Sequence, residues 1–262
     1  MSFVGQIGDR ALGGFRSANR IFGVICGMTL LSLKPRSWPR TVRNVLARQI
    51  MFTGCDALRF VSLVAFMTGV SVVVQTQVFV SMAGQAELLG PILVTVVFRE
   101  AGPLLASFVV IARSGTAIAT ELANMRVSNE VNTLEAQGVD PMVYLVMPRV
   151  LGVAVSIFCL TVVFVIVSLT VGYVGGQLLR PGTSDPLVFL ESLLKAVSRA
   201  DIYNFLAKTL ATGLLTGAIC TVEGLSIEGS VTEVPQAATR AVVRSIAALF
   251  IVSAIVSLLT YM

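Results

Sequence analysis

The chain has 262 residues, 55% of them hydrophobic and 13% charged, with a formal net charge of +5, and its mean hydropathy is +0.88. A soluble domain carries about 25% charged residues, so this chain cannot cover itself with polar surface. That excludes a soluble globule, a disordered chain and a nucleic-acid-binding module, and leaves an integral membrane protein.

Residues 1–59 hold nine Lys and Arg against Asp9 and Asp56. A basic segment beside apolar stretches suits the anionic headgroups of a cytoplasmic membrane face. Within it, the thirteen residues 21–33 are apolar but too few to span a bilayer. The sequence that follows, Lys34-Pro35-Arg36-Ser37-Trp38-Pro39-Arg40, stays basic and offers no small-x-small cleavage site. The expectation is a helix lying in the interface, with Trp38 at headgroup level, rather than a cleaved signal.

Charge-poor windows then place five spans, at 60–82, 88–112, 150–175, 203–222 and 245–262. The fourth is long enough only if it reaches back to Lys208 and beyond, with that lysine snorkelling to the interface. With the N-terminus in the cytoplasm, the cytoplasmic segments collect fourteen basic residues and the outer ones four, Arg180, Lys195, Arg199 and Lys208. Positive charge stays inside, so the C-terminus is expected on the outer side. The reading is one domain, 1–262, with 1–59 as an N-terminal cytoplasmic and interfacial region and 60–262 as a five-span bundle. Its class is an all-α integral membrane protein.

Much chemistry is absent. There is no histidine, and Cys26, Cys55, Cys159 and Cys220 are far apart without a CxxC pattern, so no metal site is expected and the thiols read as buried and inert. Neither a GxxxxGK[ST] phosphate loop nor a GxSxG elbow occurs. The chain is therefore expected to be no enzyme, with no cofactor of its own.

The second span carries Arg99 and Glu100 near its middle, followed by Gly102-Pro103. Each charge costs roughly 2.5–3.5 kcal/mol at the centre of a spanning helix. Neighbours on a helix point about 100° apart, so the two do not satisfy only each other. Arg99 could hold a phosphate with Glu100 as its counter-ion or anchor; alternatively both serve an interhelical ion pair. Gln75 and Gln77 in the first span read as cavity-lining donors or as interhelical glue. Gly172-x-x-x-Gly176 and Gly213-x-x-x-Gly217 allow close helix contact, within the bundle or between two copies.

Segment 113–149 is expected in the cytoplasm, with 223–244, while 176–202 lies outside. Ile118, Leu122 and Met125 share a helical face, and Val127, Val131 and Leu134 repeat that spacing. Glu121, Arg126, Glu130 and Glu135 are interspersed, and Gly138 with Asp140-Pro141 ends the helix. This predicts a short amphipathic helix, either docking a soluble partner or packed beneath the membrane.

Several short motifs occur together: Phe98-Arg99-Glu100-Ala101-Gly102-Pro103, Ala112-Arg113-Ser114-Gly115-Thr116-Ala117, Glu121-x-x-x-Met125-Arg126, Asp140-Pro141, Pro148-Arg149, and Ala238-Thr239-Arg240-Ala241-Val242-Val243. In this order they resemble the MlaE/YrbE permease family. The resemblance implies an N-terminal interfacial helix and five spans in a bacterial inner membrane. It also implies the permease subunit of an ABC transporter that moves phospholipid or a related lipid between that membrane and the outer envelope, contributing to lipid asymmetry or supply. The partners implied are a second permease copy, a cytoplasmic ABC ATPase dimer that binds ATP and Mg, and an MCE-domain protein on the outer face. A small accessory cytoplasmic subunit is an optional addition. Segment 113–149, with Arg113, Glu121, Met125, Arg126, Glu130, Glu135 and Asp140, would couple to the ATPase. Arg99, Glu100, Gln75 and Gln77 would face the lipid. The rival expectation is an ion- or proton-coupled carrier with Glu100 as the titrating group.

Overall fold

The computed structural model describes residues 21, 23–28, 39–82, 84, 88–179, 186–227 and 230–262. Among these residues the ordered elements are helices: α1 Arg40–Val80, α2 Leu89–Val127, α3 Glu130–Ala136, α4 Met142–Leu178, α5 Pro186–Ala196, α6 Arg199–Leu225 and α7 Val231–Tyr261. Helices α1, α2, α4, α6 and α7 are each long and apolar enough to cross a membrane. The shortest, α6, has 27 residues, or about 40 Å at 1.5 Å each, against a hydrocarbon core of about 30 Å. The all-α, five-span class read from composition is the observed one. Of the expected interfacial helix, residues 23–28 are helical, with Met28 buried against Val42, Val146, Met147 and Val150; the rest of it, including Trp38, lies outside the described residues.

Local chemistry sets the breaks. Asn129 ends the α2 direction at φ 59, a left-handed conformation that asparagine tolerates. After α3, Gly138 at φ +78 closes the helix, with Gly138 N–H bonded to the Glu135 carbonyl at 2.9 Å and Val139 N–H to that of Leu134 at 3.0 Å, a Schellman pair. Asp140 Oδ1 accepts from Met142 N–H at 2.9 Å to start α4. Ser198 and Asp201 cap α6 reciprocally, side chain to backbone in both directions.

Two elements differ from expectation. The basic stretch 40–59 is the first half of α1, continuous with the span, because its Val42 and Ala57 bury against α4 and the core. Likewise, 116–127 is not a separate amphipathic helix. It extends α2, with Ile118 and Leu122 buried in the main core, and only α3 stands apart.

Helix α6 is the axis of the bundle. In its most apolar stretch 67% is buried, against 17% for α7. Its glycines allow this: a Cβ on Gly213 would lie 2.5 Å from Ala154 Cα, and one on Gly217 2.7 Å from Val150 Cα, both on α4. Gly172 of α4 is equally crowded by Val73 of α1, and Gly176 by the Gln77 side chain. Both small-xxx-small motifs thus join helices of one chain. Several buried hydroxyls along α4 and α6 bond back to their own helix, Thr161 to the Ile157 carbonyl at 2.7 Å and Thr209 to that of Phe205 at 2.8 Å, which satisfies them without water. Phe60, Phe79, Ile166, Phe250 and Leu259 lie exposed on the outside, the apolar belt that lipid requires. The same logic corrects the cysteine reading: Cys220 is buried, but Cys55 and Cys159 are exposed, since a thiol on a spanning helix can face hydrocarbon as comfortably as core.

Candidate functional site: a charged cluster between α2, α6 and α7

Arg99 and Glu100 sit in a π-helical stretch of α2, Val94–Ala101. Such turns insert an extra residue into a helix and recur at functional positions. Four residues beyond Arg99, where an α-helix would supply the N–H for its carbonyl, stands Pro103, which has none. Lys208 of α6 takes that place: its Nζ donates to the Arg99 carbonyl at 2.9 Å and to Glu100 Oε1 at 2.7 Å. Lys208 is only 1% exposed. The expected snorkelling does not occur, because a carboxylate and a backbone carbonyl inside the bundle meet the ammonium better than a stretch toward distant headgroups. Ser257 Oγ donates to Glu100 Oε1 at 2.7 Å and Ser253 Oγ to Oε2 at 3.3 Å, both from α7.

Arg99 turns to a different partner. Its Nε lies 2.7 Å from Asp201 Oδ1 and its Nη2 3.2 Å from Oδ2. The guanidinium stacks over Tyr261, 4.5 Å from the ring centre, and the Tyr261 hydroxyl donates to Asp201 Oδ1 at 2.6 Å. The two adjacent charges of α2 therefore each find an opposite charge on α6, as their angular divergence requires. Below them Phe98 stacks on Phe205 at 4.7 Å, and Asn204, fully buried between Asp201 and Lys208, has no hydrogen-bond partner for either amide atom among the described residues. The result is two charge pairs on an apolar floor, closed by α7.

The other candidates lie elsewhere. Gln77 is packed against Gly176 and Gln75 faces outward, so neither joins the cluster. At the opposite end, near α3, Arg113 reaches Asp56 at 3.0 Å and the Phe52 carbonyl at 3.1 Å, tying α2 to α1. Glu121 pairs with Arg149 at 2.8 Å. Helix α3 buries Val131 in the core and leaves Glu130 and Glu135 exposed. Arg126 donates to Asn132 Oδ1 at 2.8 Å, Met125 packs against the core, and Asp140 remains exposed as the α4 start signal. An open groove of about 560 Å³ runs there between α1, α2 and α4, lined by Arg48, Glu121, Tyr144 and Arg149 among others.

The sequence reading missed Asp201, Asn204, Ser253, Ser257 and Tyr261 and misplaced Lys208. Their spacing was a usable signal: 201, 204 and 208 fall on one helical face, as do 253, 257 and 261. Arg240, noted only within a motif, pairs with Glu223 together with Arg244. Glu223 is 4% exposed, so Glu223→Ala, which removes the buried carboxylate that Arg240 and Arg244 share, is expected to destabilise the α6–α7 contact by about 2 kcal/mol. Thermal unfolding of the detergent-solubilised chain checks this; an unchanged midpoint would show the triad to be idle.

Fold and cluster define a multi-pass membrane protein with a charged site inside its helix bundle. The profile of the family described as Permease MlaE matches residues 46–259. A probable ABC transporter permease protein of Rickettsia prowazekii is 27% identical over 85% of both chains. One from Synechocystis is 30% identical over 80% of this chain and 78% of its own. The Arabidopsis thaliana chloroplast protein named trigalactosyldiacylglycerol 1 is 30% identical over 82% of this chain and 61% of its own. The chain belongs to the MlaE permease family.

Proposed function

We propose that the chain is the lipid-conducting permease subunit of an ABC transporter in a bacterial inner membrane, with the cluster of Arg99, Glu100, Asp201 and Lys208 holding the headgroup. The observation that carries this is the cluster itself. Arg99 and Glu100 remain 25% and 43% exposed within helices whose outer surface is apolar, and lipid is the cargo that needs both environments. Relatives named probable ABC transporter permeases, and separately a plant protein named for a galactolipid, support the reading.

A second copy of the chain would cover the half-open cluster, which a charged group facing hydrocarbon otherwise makes costly. With Lys208 buried, the basic count becomes fourteen against three, which favours a cytoplasmic α3 end, a cytoplasmic N-terminus and a periplasmic C-terminus. An ATPase dimer would then dock beneath α3, whose apolar side is held by the core and whose Glu130 and Glu135 are exposed. An MCE-domain protein would sit beyond α5, with a small accessory cytoplasmic subunit as an optional companion. The chain itself would hydrolyse nothing and hold no cofactor, forming one domain.

A photoactivatable phospholipid offered to the assembled transporter tests the site. Labelling on α2 around Phe98 and Arg99 is expected; labelling confined to α5 would move the site to the rim. Coupling has its own test. Arg126→Glu combined with Glu130→Lys is expected to lower lipid-stimulated ATPase activity of the complex roughly tenfold, the equivalent of about 1.4 kcal/mol, and full turnover would overturn the docking assignment. Transport that survives without ATP but collapses with the proton gradient would favour the carrier reading of Glu100. The ion pair to Lys208 and the ABC-permease relatives speak against it.

A further inference from the structure

We propose that this site selects headgroups that carry a primary ammonium beside their phosphate, with Glu100 as the specificity-determining residue, over headgroups that present a phosphate alone. The inference rests on the lipid reading above and deepens it. The cluster contains two cations and two carboxylates, and each cation is already paired. An incoming polyanion therefore finds no unmatched positive charge.

The two carboxylates are not equivalent. Asp201 is fully buried. Its oxygens accept from Tyr261 at 2.6 Å, from the Ser198 N–H and hydroxyl at 2.9 Å each, and from Arg99. It has nothing left to offer. Glu100 is the most exposed member, at 43% against 25% for Arg99, 1% for Lys208 and 0% for Asp201. Its Oε1 is occupied by Lys208 and Ser257, but Oε2 has only the long 3.3 Å contact from Ser253. On Arg99 both Nε and Nη2 face Asp201, and Nη1 has no partner among the described residues.

The groups a ligand can reach are thus the guanidinium Nη1 and one carboxylate oxygen on successive residues. An ammonium donates to the carboxylate and a phosphate oxygen accepts from the guanidinium, both charge-assisted. A bare phosphomonoester brings additional negative charge against Glu100 instead, and a trimethylated ammonium has charge but no N–H to donate.

The test equilibrates the assembled transporter in mixed micelles of phosphatidylethanolamine, phosphatidylcholine and phosphatidate with identical acyl chains, in equal amounts, and measures retained lipid by mass spectrometry. Wild type is expected to retain the ethanolamine lipid roughly tenfold over phosphatidate, about 1.4 kcal/mol, with phosphatidylcholine between. Glu100→Gln combined with Lys208→Met removes the carboxylate and its buried partner together and is expected to bring the ratio to about one. The wild-type comparison needs no variant to fold. Equal or greater retention of phosphatidate by wild type, or a ratio untouched in the double variant, would overturn the preference while leaving a lipid site in place. No retention of any of the three would overturn the lipid reading itself, and the preference with it.

Discussion

Lys208→Met alone is expected to destabilise the folded chain by about 3 kcal/mol, the scale for removing one partner of a buried ion pair. Two acceptors lose the ammonium at once: Glu100 keeps only hydroxyls, and the Arg99 carbonyl, which Pro103 cannot serve, loses its Lys208 donor inside the bundle. Adding Glu100→Gln should recover most of that loss, since the unpaired charge disappears, yet the double variant should not regain transport. Thermal unfolding in detergent, read beside ATP-driven lipid movement by the complex, separates the two effects. A single variant as stable as wild type would mean that Lys208 is not the strut described above.

The second large effect concerns the seam between α4 and α6. Leucine at Gly217 or Gly213 would have to occupy space held by backbone, with Val150 Cα 2.7 Å and Ala154 Cα 2.5 Å from the new Cβ. No rotamer relieves a clash with a Cα atom, so the helices must separate, at about 3 kcal/mol or more. The variants should yield little monodisperse protein. Gly54→Ala, whose Cβ would meet Ser156 Oγ at an ordinary 3.5 Å, is the matched control and should behave like wild type. If Gly217→Leu folds normally and loses only self-association, the motif belongs between copies and not within one.

Five spans were readable because twenty apolar residues in a row have few other uses, and Arg99 with Glu100 were readable because charge there is expensive. Their partners were harder to see. Asp201 stands in the first turn of α6, where a carboxylate normally means a helix cap, and it is indeed one half of the Ser198 box; its second role as the Arg99 acceptor needs the tertiary fold. Lys208 satisfied the rule for a snorkelling lysine, and only the Glu100 carboxylate and the Arg99 carbonyl brought beside it by the fold show why it turns inward. Ser253 and Ser257 look like helix-contact residues until Glu100 is seen opposite. Gln75 and Gln77 carried two readings, cavity lining or interhelical glue, because polarity in a span marks internal packing as readily as a binding cavity; Gln77 against Gly176 is packing, while Gln75 faces outward. The reach of α2 through 116–127 was hidden by its change from apolar to mixed composition, although the helix has no backbone reason to stop before Asn129.

The pairs that neutralise α2 are separated from it by 102 and 108 residues along the chain. At a ribosomal pace of about 5–20 residues per second, the second helix emerges on the order of ten seconds before either of its counter-charges exists. Through that interval its arginine and glutamate need water or the lining of the insertion channel for company. Release of this helix into bilayer is therefore tied to the arrival of the fourth span, and the bundle is completed as a late, concerted event rather than one hairpin at a time.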